Sequence, residues 1–353
     1  MRTPIQTPVV LRVVLGLALV AVLAVVTWVV AGSDDDAVTA AAQSSPTGTP
    51  ASTTPPSAGP TATPSGAATP SSRPSASASP AATARPGQTS AAGVPRSRGS
   101  FPNARNTGLP AGKRLKATTR TPLRVRRAGA VIDGVDIRAD ISVEANNVTI
   151  KNSRVITAGE WGIIQRPNAR GLVVKDSEIR GNGTDRLQHA IFNLGGQITI
   201  VRTDMSIVSD AISTSVGLIE DNYLHDPIYF DGDHTDMIQS NSGPPSGQRL
   251  VIRHNTVINT LDQTAAVALF QDFGVQHDAL IENNLLAGGG YALYAGAGKM
   301  GTSYNIKVIG NVFSREVHAS SGQYGPVAYW DKGGTGNVWQ GNVWADTGRP
   351  VTP

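Results

Sequence analysis

An eight-residue pattern recurs through the last two-thirds of the chain and limits the folds that it can adopt. Successive copies begin 18 to 33 residues apart. Copies at this spacing, with the length differences confined to the connecting segments, are typical of a protein built from stacked repeats. Eight copies begin at Val148, Leu172, Ile198, Gly217, Leu250, Ala279, Ile306 and Asn337, and a degenerate copy begins at Ala130.

Each copy has the alternation expected of a β-strand with one buried face, because its first and third positions are mostly apolar. The third-position side chains expected to stack inward are Ile150, Val174, Ile200, Ile219, Ile252, Ile281, Val308 and Trp339. The sixth position predicts a turn, where short side chains bond the backbone or the equivalent residue one coil along. The sixth-position residues are Ser153, Ser177, Thr203, Asn222, Asn255, Asn284, Asn311 and Asn342.

A second short apolar segment lies between most of the copies. Its occurrences are residues 161–163, 189–191, 210–212, 236–238, 267–269 and 291–293. Two or more short strands per repeat, without a helical period or Asn-Gly hairpin turns, exclude a helical repeat and disfavour an antiparallel sandwich. The sequence therefore predicts an all-β domain over residues 101–353, a single-stranded right-handed parallel β-helix. Trp339 and Trp344 are expected to plug its last coil, because terminal repeats need a cap.

Two segments of this domain resemble a known family. Residues 101–112, FPNARNTGLPAG, resemble the entry motif of a family of secreted actinobacterial right-handed β-helix proteins. Tyr329-Trp330 and residues 336–353, GNVWQGNVWADTGRPVTP, are similar to its C-terminal coil. The resemblance covers nearly all of residues 101–353 and implies a pectate-lyase-like fold. It does not imply a particular activity, since a shared fold hosts many chemistries.

The N-terminal residues 1–32 predict a membrane anchor or a signal segment. The apolar run over residues 13–31 is about 28 Å long as a helix, close to the thickness of a bilayer core. Arg2 and Arg12 precede the run, which places the N-terminus in the cytoplasm. The competing interpretation is a signal peptide, because small residues at positions 29–31 suit cleavage there. The chain is expected to be a single-pass membrane protein with an extracellular C-terminal domain, or to be secreted.

Residues 33–100 consist largely of Ala, Ser, Thr, Pro and Gly, which predicts a disordered linker. Residues 101–353 carry 24 basic and 23 acidic residues, so this part is nearly neutral and gives no indication of nucleic-acid binding. Its first segment, residues 101–132, holds eight basic residues and no acid. This basic edge suits an anionic wall polymer or lipid headgroups, or is simply a solvated end of the domain. We expect a monomer.

The second strand predicts a column of polar residues. If these segments stack in register, His189, Asp210 and Asp236 lie on consecutive coils about 4.8 Å apart. Two carboxyl groups that close repel each other, so one retains a proton or a cation bridges them. These three residues are therefore candidate catalytic residues. Aspartate at this position could also simply cap backbone amides in a turn.

The segment from Asp231 to Gln239 is the densest acidic and histidine-containing stretch of the chain. His234 joins the candidate catalytic residues, and Gln239 is a candidate substrate-binding residue. Asp231, Asp233 and Asp236 offer hard oxygen ligands of the kind that suit Ca²⁺, although their spacing does not match an EF-hand loop. This segment resembles an HxDxIQ motif of β-helix proteins, with Met237 where glycine is more common.

These residues favour chemistry on a polysaccharide or cell-wall glycan. Hydrolysis needs an acid and a base or nucleophile, a role open to Asp210 and Asp236. Lyase chemistry needs a cation to neutralise a uronate and a base to remove a proton, and no base is obvious. Tyr291 and Tyr294 could stack on a sugar ring. The alternatives are a non-catalytic wall-binding or adhesion protein that uses the same face, and a structural spacer.

Overall fold

The computed structural model describes residues 100–353, which form 28 β-strands and no helix. All neighbouring strands pair in parallel and form three sheets. Within this part of the chain, no helix is long and apolar enough to cross a membrane. The predicted anchor over residues 1–32 and all but the last residue of the predicted linker lie outside the described residues.

Each sheet takes every third strand of the chain. Sheet A contains β1 (Ala117–Thr119), β4 (Val135–Ile137), β7 (Arg154–Thr157), β10 (Glu178–Gly181), β13 (Asp204–Ser206), β16 (Tyr223–Leu224), β19 (Thr256–Asn259), β22 (Leu285–Gly288), β25 (Val312–Phe313) and β28 (Val343–Trp344). Sheet B contains β2 (Leu123–Val125), β5 (Ile141–Val143), β8 (Gly159–Gln165), β11 (Leu187–Asn193), β14 (Asp210–Ser213), β17 (Asp236–Ser240), β20 (Ala265–Leu269), β23 (Tyr291–Ala295) and β26 (Gly325–Ala328). Sheet C contains β3 (Val131–Asp133), β6 (Thr149–Lys151), β9 (Leu172–Lys175), β12 (Ile198–Val201), β15 (Gly217–Glu220), β18 (Leu250–Arg253), β21 (His277–Glu282), β24 (Tyr304–Ile309) and β27 (Val338–Gln340).

The order of the strands confirms the predicted all-β, parallel, stacked architecture, which fits a parallel β-helix. One coil contributes one strand to each sheet, and the next coil pairs with it in parallel. The eight-residue pattern holds two of these strands, the sheet C strand and the beginning of the sheet A strand, with a turn between them. The second segment found in the sequence is the sheet B strand. The predicted right-handedness of the coil stays a prediction.

The turn between sheets C and A has the same backbone conformation in each coil. Its fifth pattern position has a positive φ, for example 49° at Asn152, 50° at His254 and 65° at Gly310. Asn, Asp and Gly tolerate this left-handed conformation better than other residues do. They occupy most of these positions, which explains why the pattern is polar or glycine at this point.

The sixth position forms the predicted ladder. The side-chain amide of Asn255 donates to Asn284 Oδ1 at 2.9 Å, and Asn284 donates in the same way to Asn311 at 2.9 Å. Asn222 and Asn342 continue the ladder on either side at the same distance. All five side chains are buried, so the ladder satisfies amide groups that water cannot reach.

Apolar side chains from the three sheets fill one core along the solenoid. Seven of the eight predicted third-position residues are fully buried, and Trp339 is partly buried against the core. Trp339 also contacts the rings of Phe313 and Trp330 at 6.1 and 5.7 Å. Its indole N–H donates to the Val351 carbonyl at 2.7 Å. These contacts support the predicted plug at the last coil.

The entry segment, residues 101–116, runs along the turns between sheets C and A before the first coil begins. The ring of Phe101 stacks on His254 at 5.8 Å, and the Gly108 N–H donates to the Arg202 carbonyl at 3.0 Å. Lys116 N–H then bonds the Gly134 carbonyl on the first coil. The entry segment therefore lies at the edge opposite sheet B, whose outer face it leaves uncovered.

Candidate functional site

A bend in the middle of sheet B gathers polar and aromatic side chains on its outer face. Two adjacent residues in each central strand, such as Ala190 and Ile191 in β11, both belong to the core. This breaks the usual alternation, so the side chains on either side of the pair emerge on the other face. In β11 these are His189 and Phe192, whose rings stack with centroids 4.5 Å apart.

The predicted column of polar residues is present. His189 pairs with Asp210 across sheet B, and the pairing of Ile212 with Ile238 sets Asp210 opposite Asp236. The structure thus brings these three residues together on consecutive coils, as the sequence predicted. Whether they are catalytic stays a prediction.

The column continues differently from the prediction. Asp236 pairs with Ala265, whereas stacking of the segments 236–238 and 267–269 predicts Val267 there. Ala265 then pairs with Tyr291, which places Tyr291 in the same column as Asp236. A shift of two residues preserves the alternation of a strand, so apolar pattern alone could not fix this register.

Asp210 is buried and its carboxylate is fully engaged. Its Oδ1 accepts the Asp236 backbone N–H at 2.9 Å, and its Oδ2 accepts the side-chain amides of Gln188 and Gln239 at 2.8 and 2.9 Å. Burial raises the pKa of Asp210 to about 7, although the bonds from Asp236 and Gln188 act against this. Gln239, a predicted substrate-binding residue, therefore also orients this carboxylate, and Gln188 is a second partner that the sequence pattern does not indicate.

Asp236 is buried with one oxygen, Oδ1, that has no hydrogen-bond partner. Burial raises the pKa of Asp236 well above the usual value, and the negative charges of Asp210 and Asp272 raise it further. An environment of this kind favours the protonated form of a carboxyl group. Asp236 is therefore available as a proton donor.

His189 is neutral in this environment. Its side chain is 15% exposed, and its Nδ1 lies 3.4 Å from Asp210 Oδ2 without forming a hydrogen bond. Burial lowers the pKa of His189 to about 3, and the positive charge of Arg186 lowers it as well. The imidazole thus borders the carboxyl pair as an uncharged ring.

The remaining predicted residues lie in the loop before β17, and they differ in burial. Asp233 is buried and its Oδ1 lies 2.6 Å from the guanidinium of Arg186, while Asp231 and His234 are exposed. Among residues 100–353, no three His, Cys, Asp or Glu side chains are grouped as metal ligands. Arg186 already supplies the positive charge beside Asp233, so the three aspartates do not form a ready calcium site. Calcium binding stays a prediction of the sequence.

Aromatic rings cover the same face over the three coils that follow Asp236. Tyr291 and Tyr294 contact each other with centroids 5.6 Å apart. Tyr324 lies 5.9 Å from Tyr291, and Tyr329 stacks on Tyr294 at 5.3 Å. Phe270 completes the aromatic cluster at 5.4 Å from Tyr294. The sequence predicted two of these five rings. It missed Tyr324 and Tyr329 because they flank β26, a strand whose short, Pro-containing sequence does not match the second segment.

The structure therefore defines a three-sheet parallel solenoid that presents a carboxyl pair and an aromatic cluster on one sheet. The chain matches no protein-family model, and comparisons with curated proteins and with solved structures found no significant match.

Proposed function

We propose that the protein is carbohydrate-active and that the outer face of sheet B binds an extended glycan and hydrolyses it. Asp236 is the proton donor in this proposal. A sugar chain lying along the solenoid would contact the aromatic cluster and the column of His189, Asp210 and Asp236. Aromatic faces suit sugar rings because both present apolar surfaces with polar edges.

The observation that carries the proposal is the unpartnered Oδ1 of Asp236 beside a second carboxyl group. Burying a polar oxygen without a partner costs stability, and such costs are concentrated at functional sites. Acid catalysis also needs a group that carries a proton before the reaction. Two neighbouring carboxyl groups that retain one proton between them meet this need.

Asp210 would support this chemistry from the neighbouring coil. Its negative charge, once formed, keeps the proton on Asp236 and stabilises positive charge that develops on a sugar ring in the transition state. Coils about 4.8 Å apart favour the short carboxyl separation of retaining glycosidases. Because Asp236 Oδ1 is buried, a bound sugar has to displace the side chains that cover it.

Glycan binding without turnover is the second candidate. It is favoured by the three hydrogen bonds that occupy both oxygens of Asp210, which hold this carboxylate in place and weaken it as a nucleophile. Lyase chemistry receives less support, because the guanidinium of Arg186 is already bound to Asp233.

The proposal includes the location inferred from the sequence. Residues 1–32 would export the chain or anchor it, and residues 33–100 would let the domain reach a wall or external glycan. The resemblance of residues 101–353 to secreted β-helix proteins agrees with this location. The export or anchoring, the reach of the linker and the family resemblance are all inferred from sequence pattern alone.

The test is incubation of the full chain with neutral and uronate polysaccharides, with and without EDTA. New reducing ends that are lost in Asp236→Asn support hydrolysis by Asp236. Asp176→Asn is the matched control, because it lies at the turn between sheets C and A in a left-handed conformation that Asn also tolerates. Unsaturated uronate absorbance would select a lyase instead. Binding without any cleavage would select the second candidate.

A further inference from the structure

The aromatic cluster is the most exposed apolar feature of the sheet B face. Tyr324 is 67% exposed and Tyr329 is 44% exposed, although both rings contact other tyrosines. Phe273, in the loop after β20, is 58% exposed. Large rings left this open to water are a common mark of a binding surface.

The charged groups near this surface are unsuited to an anionic ligand. The guanidinium of Arg186 lies 2.6 Å from the carboxylate of Asp233. The positive charge of Lys299 interacts with the carboxyl group of Asp272, and Lys299 makes further interactions. Asp236 and Asp272 lie close enough for their charges to interact. A polyuronate chain placed here would bring one carboxylate per sugar to a surface where Arg186 and Lys299 already have the acidic neighbours Asp233 and Asp272.

We propose that the ligand of this face is an uncharged glycan and that polyuronates are excluded. This inference rests on the proposed function, namely that the face binds a glycan. Removing a uronate carboxylate from water without a paired cation is costly, whereas hydroxyl groups at the rim of a sugar ring can stay hydrated. Each additional carboxylate would also interact unfavourably with Asp272 and with any ionised Asp210.

The length of the surface indicates an oligosaccharide. The coil of Asp236 and the coil of β26, between Tyr324 and Tyr329, are separated by three steps of the sheet B register. At about 4.8 Å per step this distance is about 14 Å. A single sugar ring cannot reach from the carboxyl pair to Tyr329, so affinity should increase with chain length.

The experiment measures binding of hexasaccharides to the full chain by calorimetry. Hexagalacturonate and its fully methyl-esterified form share one backbone and differ in charge, and xylohexaose, cellohexaose and chitohexaose serve as neutral probes. We expect at least one uncharged probe to bind, and the free hexagalacturonate to bind at least about tenfold more weakly than its ester. Addition of Ca²⁺ should not reverse this order.

Two variants tie the binding to the cluster. Tyr324→Ala and Tyr329→Ala should each weaken binding of the neutral probe by about tenfold, since stacking on each exposed ring is lost. Tyr304→Ala is the matched control, because Tyr304 is similarly exposed at 43% but lies in sheet C, stacked on His277. It should leave the affinity unchanged.

The outcomes separate the inference from the proposed function. Equal or tighter binding of the free hexagalacturonate would overturn the inference and leave glycan binding intact. Neutral binding that Tyr324→Ala and Tyr329→Ala do not alter would also overturn it. Neutral binding without cleavage would support the inference and remove hydrolysis, while a failure of every probe to bind would overturn both.

Discussion

At the scale of single residues, Asp210 and Asp236 differ although both are buried carboxyl groups on adjacent coils. Asp210 accepts three hydrogen bonds from neighbouring groups, whereas Asp236 has an oxygen with none. The hydrogen bonds stabilise the ionised form of Asp210, and their absence favours the protonated form of Asp236. The sequence could predict that the two residues stack. It could not predict this asymmetry, because Gln188 and Gln239 reach Asp210 from the coils on either side.

The raised pKa values predict how stability depends on pH. A carboxyl group whose pKa is higher in the folded state than in the unfolded state binds more protons when folded. Its contribution is therefore largest at low pH and is lost as the pH rises from about 4 through the folded-state pKa, which is about 7 for Asp210. Burial lowers the pKa of His189 to about 3, and this acts in the opposite sense up to the ordinary histidine value of 6.5, so we expect the free energy of unfolding to fall between pH 6.5 and pH 8, by on the order of 1–3 kcal/mol.

Asp236→Asn should remove part of this dependence. The variant cannot ionise, so we expect it to be more stable than the natural chain at pH 8 and similar to it at pH 5. Thermal unfolding at both pH values measures this. A variant less stable than the natural chain at pH 8, with an unchanged slope, would show that Asp236 is already ionised in the folded protein.

At the scale of elements, the turn between sheets C and A shows what the repeat can and cannot predict. The buried Asn ladder followed directly from the sixth position, because a buried amide that recurs in every coil needs a partner one coil away. The number of strands per coil could not be predicted from the eight-residue pattern. A turn at the fifth position, with positive φ at residues such as Asn152, splits the eight-residue pattern into two strands.

Asn284→Ala should be strongly destabilising. It removes the acceptor of the Asn255 side-chain amide and backbone N–H, and it leaves the Ile252 carbonyl without its donor. We expect a loss of about 2–4 kcal/mol in the free energy of unfolding, measured by denaturant titration. Asn182→Ala, in an exposed connecting segment, should cost about 1 kcal/mol or less. Equal losses in the two variants would contradict a structural role for the ladder.

Sheet B was less predictable than the other two sheets. Its bend places two adjacent residues in the core, so the period of two that identified the sheet C strands fails within each sheet B strand. The connecting segments before β20 and β26 also vary in length. For both reasons the sequence misplaced Val267 and overlooked the tyrosines that flank β26.

At the scale of the whole molecule, the solenoid has a single linear core, so its ends differ from its middle. Each internal coil packs between two neighbours, whereas the last coil has one neighbour and relies on Trp339 and Trp344. Stability in such a protein is approximately a sum of coil and interface contributions. The column of His189, Asp210 and Asp236 lies several coils away from this end.

Trp339→Ala should therefore loosen the C-terminal coils first. The variant loses the contacts with Phe313 and Trp330 and the hydrogen bond to Val351. We expect a loss of about 2–4 kcal/mol, with amide hydrogen exchange faster in β24 to β28 than in β9 to β12. Uniformly faster exchange along the solenoid would contradict a local role in capping the end.

The protonation state of Asp236 tests the central claim most directly. Titration of the aspartate carboxyl carbons by NMR in the full chain, with Asp236→Asn used to assign the signal, measures it without any substrate. We expect the Asp236 carboxyl to remain protonated at pH 7. A midpoint near pH 4 for Asp236 would contradict its role as the proton donor.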